Sequence, residues 1–171
     1  MVNPPAGTVT FLFTDIEGST KLARAYPETW DSIHARHDAI LRAAIEAHGG
    51  TIFQMVGDEC CAAFLYPFDA LEAALQAQQD LQTRFAESVT LRVRMGLHTG
   101  EAEIDGTTYR GYLALSLNQR LMSAGHGGQI LLSQESADLV RREHEPSAGG
   151  VRHDRDRRQP ARAIRRPGDQ E

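Results

Sequence analysis

Thr8-Val9-Thr10-Phe11-Leu12-Phe13-Thr14-Asp15 is a short apolar run that ends in an acid, and Ile16-Glu17-Gly18-Ser19-Thr20 follows it with mostly small polar residues. Val9, Phe11, Leu12 and Phe13 put apolar groups on both faces of an extended segment, which predicts a central strand. Further along, Val56-Gly57-Asp58-Glu59 reads as a tight turn that carries a second acid. Two carboxylates mounted on turns beside a buried sheet suit hard divalent cations. The Gly18-Ser19-Thr20 segment offers backbone N–H groups to a phosphate. Together these features point to chemistry on a nucleoside triphosphate.

The remaining periodicities build a frame around those two acids. A short helix is expected over Gly18–Ala25, opened by Ser19 or Thr20, and Pro27 sits where a new helix tolerates it. Trp30, Ile33, His37, Ile40, Leu41, Ala44 and Ile45 then recur at helical spacing until His48-Gly49-Gly50 stops the helix. Residues 51–56 and 59–64 read as a hairpin with Gly57-Asp58 at its tip. Pro67 opens a second long helix, with Phe68, Leu71, Ala74, Leu75, Gln78, Leu81 and Phe85 as its expected inner face. Residues 91–98 alternate as a strand that continues extended over 101–104, and Asp105-Gly106 marks a turn. A helix over 113–124, a strand over 129–133 and a short helix over 136–142 complete the pattern. The order is that of an α+β, ferredoxin-like split βαβ sheet with the two long helices on one face.

Composition narrows the class. The 171 residues suit one domain with a sizeable core, expected over residues 1–145. A net charge of −5 argues against a general nucleic-acid binder. The chain contains no apolar run of membrane-spanning length, and its first residues lack the charged start and apolar middle of a secretion signal. Cys60 and Cys61 are adjacent, a spacing that disfavours both a disulfide and a zinc site, so reduced core thiols of a cytoplasmic protein are expected. Residues 146–171 are rich in arginine and nearly free of large apolar groups, and they read as a disordered tail.

Five strings carry a family resemblance: Val9 to Thr20, His48-Gly49-Gly50, Val56 to Glu59, Arg94-Met95-Gly96-Leu97-His98-Thr99-Gly100, and Ala124 to Ser133. In this order and spacing, over roughly residues 7–142, the chain resembles the class III nucleotidyl cyclase catalytic domain of bacterial type. The Gly-Asp-Glu turn also faintly resembles a diguanylate cyclase, but the flanking strings do not. The resemblance implies conversion of ATP or GTP to the 3′,5′-cyclic nucleotide and pyrophosphate, in head-to-tail homodimers or heterodimers with active sites at the interface.

It also implies roles. Asp15 and Asp58 match the metal-binding pair for two Mg²⁺ or Mn²⁺ ions. Ile16, Glu17, Gly18, Ser19 and Thr20 are expected to offer backbone N–H groups to the β- and γ-phosphates. Arg120 matches the arginine that stabilises charge on the α-phosphate. Three positions depart from the pattern. Ser116 stands where the family places an asparagine, one helical turn before Arg120; Asn118 is two residues from the arginine, rotated by about 200° and thus aimed elsewhere. Gln54 stands where adenine-specific relatives carry lysine and guanine-specific ones glutamate; its amide both donates and accepts. The second base-reading position falls on Thr108 or Tyr109. The expected function is a metal-dependent purine nucleotide cyclase of reduced activity, the alternative a catalytically silent nucleotide-binding or dimerisation module. A structural role is expected for His98, at the end of its strand.

Overall fold

A computed structural model describes residues 4–85, 89–106 and 108–144 of the chain. The Arg-rich segment and the proposed boundary at 145 lie outside the described residues. The elements run β1 (Gly7–Ile16), α1 (Ser19–Ala25), α2 (Trp30–Ala47), β2 (Thr51–Val56), β3 (Glu59–Phe64), α3 (Pro67–Phe85), β4 (Val93–Asp105), β5 (Thr108–Arg110), α4 (Tyr112–Ala124), β6 (Ile130–Leu132) and α5 (Gln134–His144).

The sheet order is β2-β3-β1-β4-β5, with β6 parallel to β4. Strand β3 lies between β1 and β2, antiparallel to both, which is the expected split βαβ arrangement. Strand β1 is flanked on both sides, and Val9 to Thr14 are all buried, as its apolar run predicts.

Alternation along the strands divides the core into two layers. Leu12, Ile16, Cys60, Ala62, Phe64, Met95 and Leu97 face α2 and α3. Phe11, Phe13, Cys61 and Ala63 face the other way, toward Tyr109, Ala114 and Met122. The two long helices thus share one face, and the shorter α4 lies over the other. The predicted inner face of α2 is correct from Ile33 to Ile45, with Trp30 only partly buried.

The face of α3 needs correction. Leu75 is exposed, and the buried stripe is Ala70, Ala73, Ala74 and Ala77 with Gln78, Leu81 and Phe85. Small side chains let this helix approach its neighbours closely, and the longer leucine is left outside. Gln78 is tolerated in the core because its Nε2 donates to the Val93 carbonyl at 2.7 Å. Helix α4 approaches β4 closely. A Cβ on Gly96 would lie 2.9 Å from the Met122 backbone nitrogen and 3.0 Å from Asn118 Oδ1. Both cysteines are buried free thiols, as expected, and burial pushes Cys60 up to about 12. No helix among the described residues is long and apolar enough to cross a membrane.

Candidate functional site

Asp15 is the second-last residue of β1 and pairs across the sheet with Arg94 of β4. The register therefore brings acid and guanidinium side by side. Arg94 Nε donates to Asp15 Oδ2 at 2.7 Å, and a second guanidinium nitrogen converges on the same oxygen. The Asp15 side chain is only 19% exposed. Sequence reading did not single out Arg94 for the site. Its signal was the alternation of arginines with apolar residues along β4, which becomes meaningful only once the partner strand is known.

Asp58 arrives from the hairpin tip. Gly57 adopts a left-handed φ of 57°, which turns β2 into β3 with a single acid at the apex. Asp58 Oδ2 accepts the backbone N–H of Ile16 at 3.3 Å, so the hairpin tip is tied to the exit of β1. Burial pushes the Asp15 carboxyl above its ordinary range, and Arg94 pulls it back. Asp58 pushes it up again through a side-chain hydrogen bond and like charge. The two acids expected to act together are thus neighbours. Arg94 pairs with Asp15 alone, so the Asp58 carboxylate adds a second negative charge beside a partly desolvated one. A divalent cation would relieve both the burial penalty and the mutual repulsion, so the donor chemistry fits a hard metal ion. The pair stands without a third ligand: no group of three or more His, Cys, Asp or Glu side chains able to hold a metal occurs among the described residues.

The structure narrows the phosphate segment. Ile16 N–H is held by Asp58, and Glu17 N–H donates to the Arg92 carbonyl at 2.8 Å. Both donors are spent inside the chain, so neither fits the expected role toward phosphate. Gly18, Ser19 and Thr20 open α1, where a helix leaves its first N–H groups without intrahelical partners.

The other predicted positions lie elsewhere. Arg120 is exposed on α4, whereas Asn118 is fully buried and its Nδ2 donates to the Phe11 carbonyl at 3.0 Å. The rotation argument holds: the asparagine points into the sheet and the arginine away from it. Ser116 is half-buried, and its hydroxyl donates to the Leu113 carbonyl at 3.2 Å, a local bond within the helix. Gln54 is exposed on β2, opposite Cys61. Of the two candidates on β5, Thr108 is exposed and Tyr109 is not available. Its ring packs against Phe11 and Phe53 at 5.1 and 4.9 Å between centroids, and its hydroxyl donates to the Pro5 carbonyl at 2.8 Å. Pro5 precedes β1 and Asp15 closes it, so β5 sits toward the opposite end of that strand from the acids. One chain therefore does not gather Thr108 and the carboxylate pair around a single small ligand.

His98 behaves as a structural residue at its strand. It is buried, its Nδ1 lies 3.0 Å from Ser133 Oγ, and burial pulls its imidazole below the ordinary range despite the nearby Glu135.

Comparison with known proteins bears on the fold and the family. The family model described as "Adenylate and Guanylate cyclase catalytic domain" matches residues 1–153. An uncharacterized protein of Mycobacterium tuberculosis is 37% identical over 139 residues, covering 80% of this chain and 46% of its own length. An adenylate cyclase of Lachancea kluyveri is 32% identical over 159 residues, covering 78% of this chain and 9% of its own length. The chain thus spans less than half of each of these two relatives. Among solved structures, the adenylyl cyclase CyaB of P. aeruginosa shares the fold with a TM-score of 0.69 at 24% identity, over 82% of this chain and 84% of that one. A Trypanosoma brucei adenylate cyclase, solved in its monomeric state, gives 0.65 at 25% identity, over 78% and 80%.

Proposed function

Because the chain belongs to the adenylate and guanylate cyclase catalytic-domain family, we propose that it is a metal-dependent purine nucleotide cyclase, converting ATP, or GTP, to the 3′,5′-cyclic nucleotide and pyrophosphate. The observation that carries this reading is the convergence of Asp15 and Asp58 at the exit of β1, beside the opening of α1.

Asp15 and Asp58 would hold Mg²⁺ or Mn²⁺, two ions in the full reading; such ions activate an attacking hydroxyl and neutralise a transferring phosphate. The chain's own groups orient the substrate around that centre. Gly18, Ser19 and Thr20 direct N–H groups to the terminal phosphates, and Arg94 favours the charged form of Asp15 and aims it. Arg120 stabilises charge at the α-phosphate, and Gln54 with Thr108 faces the base. These last groups are exposed on α4, β2 and β5 and are best supplied by a second copy of the chain, head to tail. Tyr112, Leu113 and Leu117 are exposed on the same helix as Arg120, and Tyr112 is 86% exposed. Apolar residues at this density suit the core of an interface.

The Ser116 hydroxyl, committed to Leu113, favours a second reading: a silent nucleotide-binding or dimerisation module. Incubation of pure protein with Mn²⁺ and ATP, and separately GTP, separates the two. Cyclic product that disappears in Asp58→Ala supports the enzyme. Tight nucleotide binding with no product at high protein concentration supports the module.

A further inference from the structure

The hairpin tip that carries Asp58 is gripped a second time, from behind, by helix α2. His34 Nε2 lies 2.9 Å from the Gly57 carbonyl oxygen. A carbonyl only accepts, so Nε2 carries the proton and donates it. On the ring's other side, His34 Nδ1 faces Asp38 Oδ2 at 3.4 Å, while Asp38 Oδ1 lies 3.0 Å from His37 Nδ1. His37 is fully buried, and its ring centroid is 6.0 Å from that of His34. Trp30 packs on the outer side of His34, with centroids 5.8 Å apart. A chain of contacts therefore runs from the core through His37, Asp38 and His34 to the peptide immediately before Asp58.

We propose that His34 is a positioning residue for the metal-binding carboxylate: it fixes the Gly57 carbonyl and so the direction in which Asp58 projects. The physical need is specific to this turn. Gly57 is in the left-handed region, open to many alternatives, and a Cβ there would touch nothing within 4 Å, so packing alone does not restrain it. Asp58 itself is held through its carboxyl group alone, by the 3.3 Å bond from Ile16 and by its contact with Asp15. The His34 bond restrains the turn at its backbone, through the Gly57 carbonyl. Groups that orient a metal ligand without touching the metal typically change affinity or activity by about 10–100-fold when removed. His34 is partly solvent-exposed at 25%, so its replacement leaves the core intact.

The inference rests on Asp58 as a metal ligand, and the test separates the two. Mn²⁺ binding to the full chain is followed by electron paramagnetic resonance in the presence of 3′-deoxy-ATP, which lacks the attacking hydroxyl. Wild type, Asp58→Ala, His34→Ala and His34→Gln are compared, with thermal melting as the check on folding. The expected result is a roughly tenfold weaker Mn²⁺ affinity in His34→Ala, at the level set for such partners. The affinity for 3′-deoxy-ATP at saturating Mn²⁺ should hardly change, and His34→Gln, whose amide still donates, should recover most of the loss. Unchanged Mn²⁺ affinity in His34→Ala, with loss in Asp58→Ala, overturns the positioning role and leaves the metal reading standing. Equal loss in the Ala and Gln variants also overturns it, because the hydrogen bond would then be irrelevant. Unchanged binding in Asp58→Ala overturns the metal reading and this inference with it.

Discussion

The Asp15 end of β1 and the outer surface of α4 are built in opposite ways. At the first, Asp15 is held by Arg94, Asp58 by the Ile16 N–H, and the hairpin backbone by His34. At the second, Arg120 is exposed among Tyr112, Leu113 and Leu117. Cooperative packing explains the contrast. The acids sit where β1, β3 and β4 meet, and the register of those strands leaves their side chains little choice. The surface of α4 needs nothing from its own chain beyond the contacts of Ala114, Asn118 and Met122. Under the head-to-tail arrangement proposed above, each copy would offer its open α4 surface to the acids of the other.

The largest effects are expected from damaging each region separately. Asp15→Ala and Arg120→Ala are each expected to lower turnover by about 10³-fold or more, the scale of a lost phosphate-stabilising arginine or metal ligand. An equimolar mixture of the two is expected to recover cyclic product, because one mixed dimer contains one intact site. Failure to recover would place both groups in one site of one chain.

Next in size is the interface itself. Leu113→Glu combined with Leu117→Glu is expected to shift the protein to monomers in analytical ultracentrifugation, with loss of product and an unchanged melting temperature. Both side chains are already solvent-facing, so the fold does not depend on them.

Ser116→Asn sharpens the reading of the α4 surface. An amide there extends one turn from Arg120, and a gain of about 10–100-fold in turnover is expected, below the 10²–10³ attributed to a full transition-state donor. No gain, with nucleotide binding retained, favours the silent module.

The smallest effect is on stability with pH, and it belongs to the scaffold. His37 and His98 both have imidazoles held below the ordinary value of 6.5, chiefly by burial. A depressed folded-state value means that the unfolded chain binds the proton more tightly. The stability they contribute is present above pH 6.5 and is lost as pH falls through their folded values. Melting temperature is therefore expected to drop by a few degrees between about pH 7 and pH 5. His98→Gln, which keeps a polar group near Ser133, is expected to flatten the part of that slope due to His98.

Much of this was legible in the chain itself. The strand that ends at Asp15, the glycine turn at Asp58 and the inner face of α2 are local patterns whose period or turn chemistry allows one outcome. Leu75 shows where that fails: hydrophobicity predicted burial, but α3 turned its alanines inward because close helix packing rewards small volume. Tyr109 shows a second failure. As a base reader it was a matter of counting, and only the aromatic cluster with Phe11 and Phe53 reveals it as core. Ile16 and Glu17 likewise looked like phosphate donors until their N–H groups were found to be spent on Asp58 and Arg92.

The sequence by itself determined the elements, their order and the residues able to carry charge, because those follow from backbone conformation and side-chain chemistry over a few neighbours. Which charges meet was decided only in three dimensions. Asp15 finds Arg94 through a strand register that pairs residues 79 apart, and Asp58 reaches Ile16 across 42. Such meetings depend on the packing of the whole sheet, and no local rule encodes them.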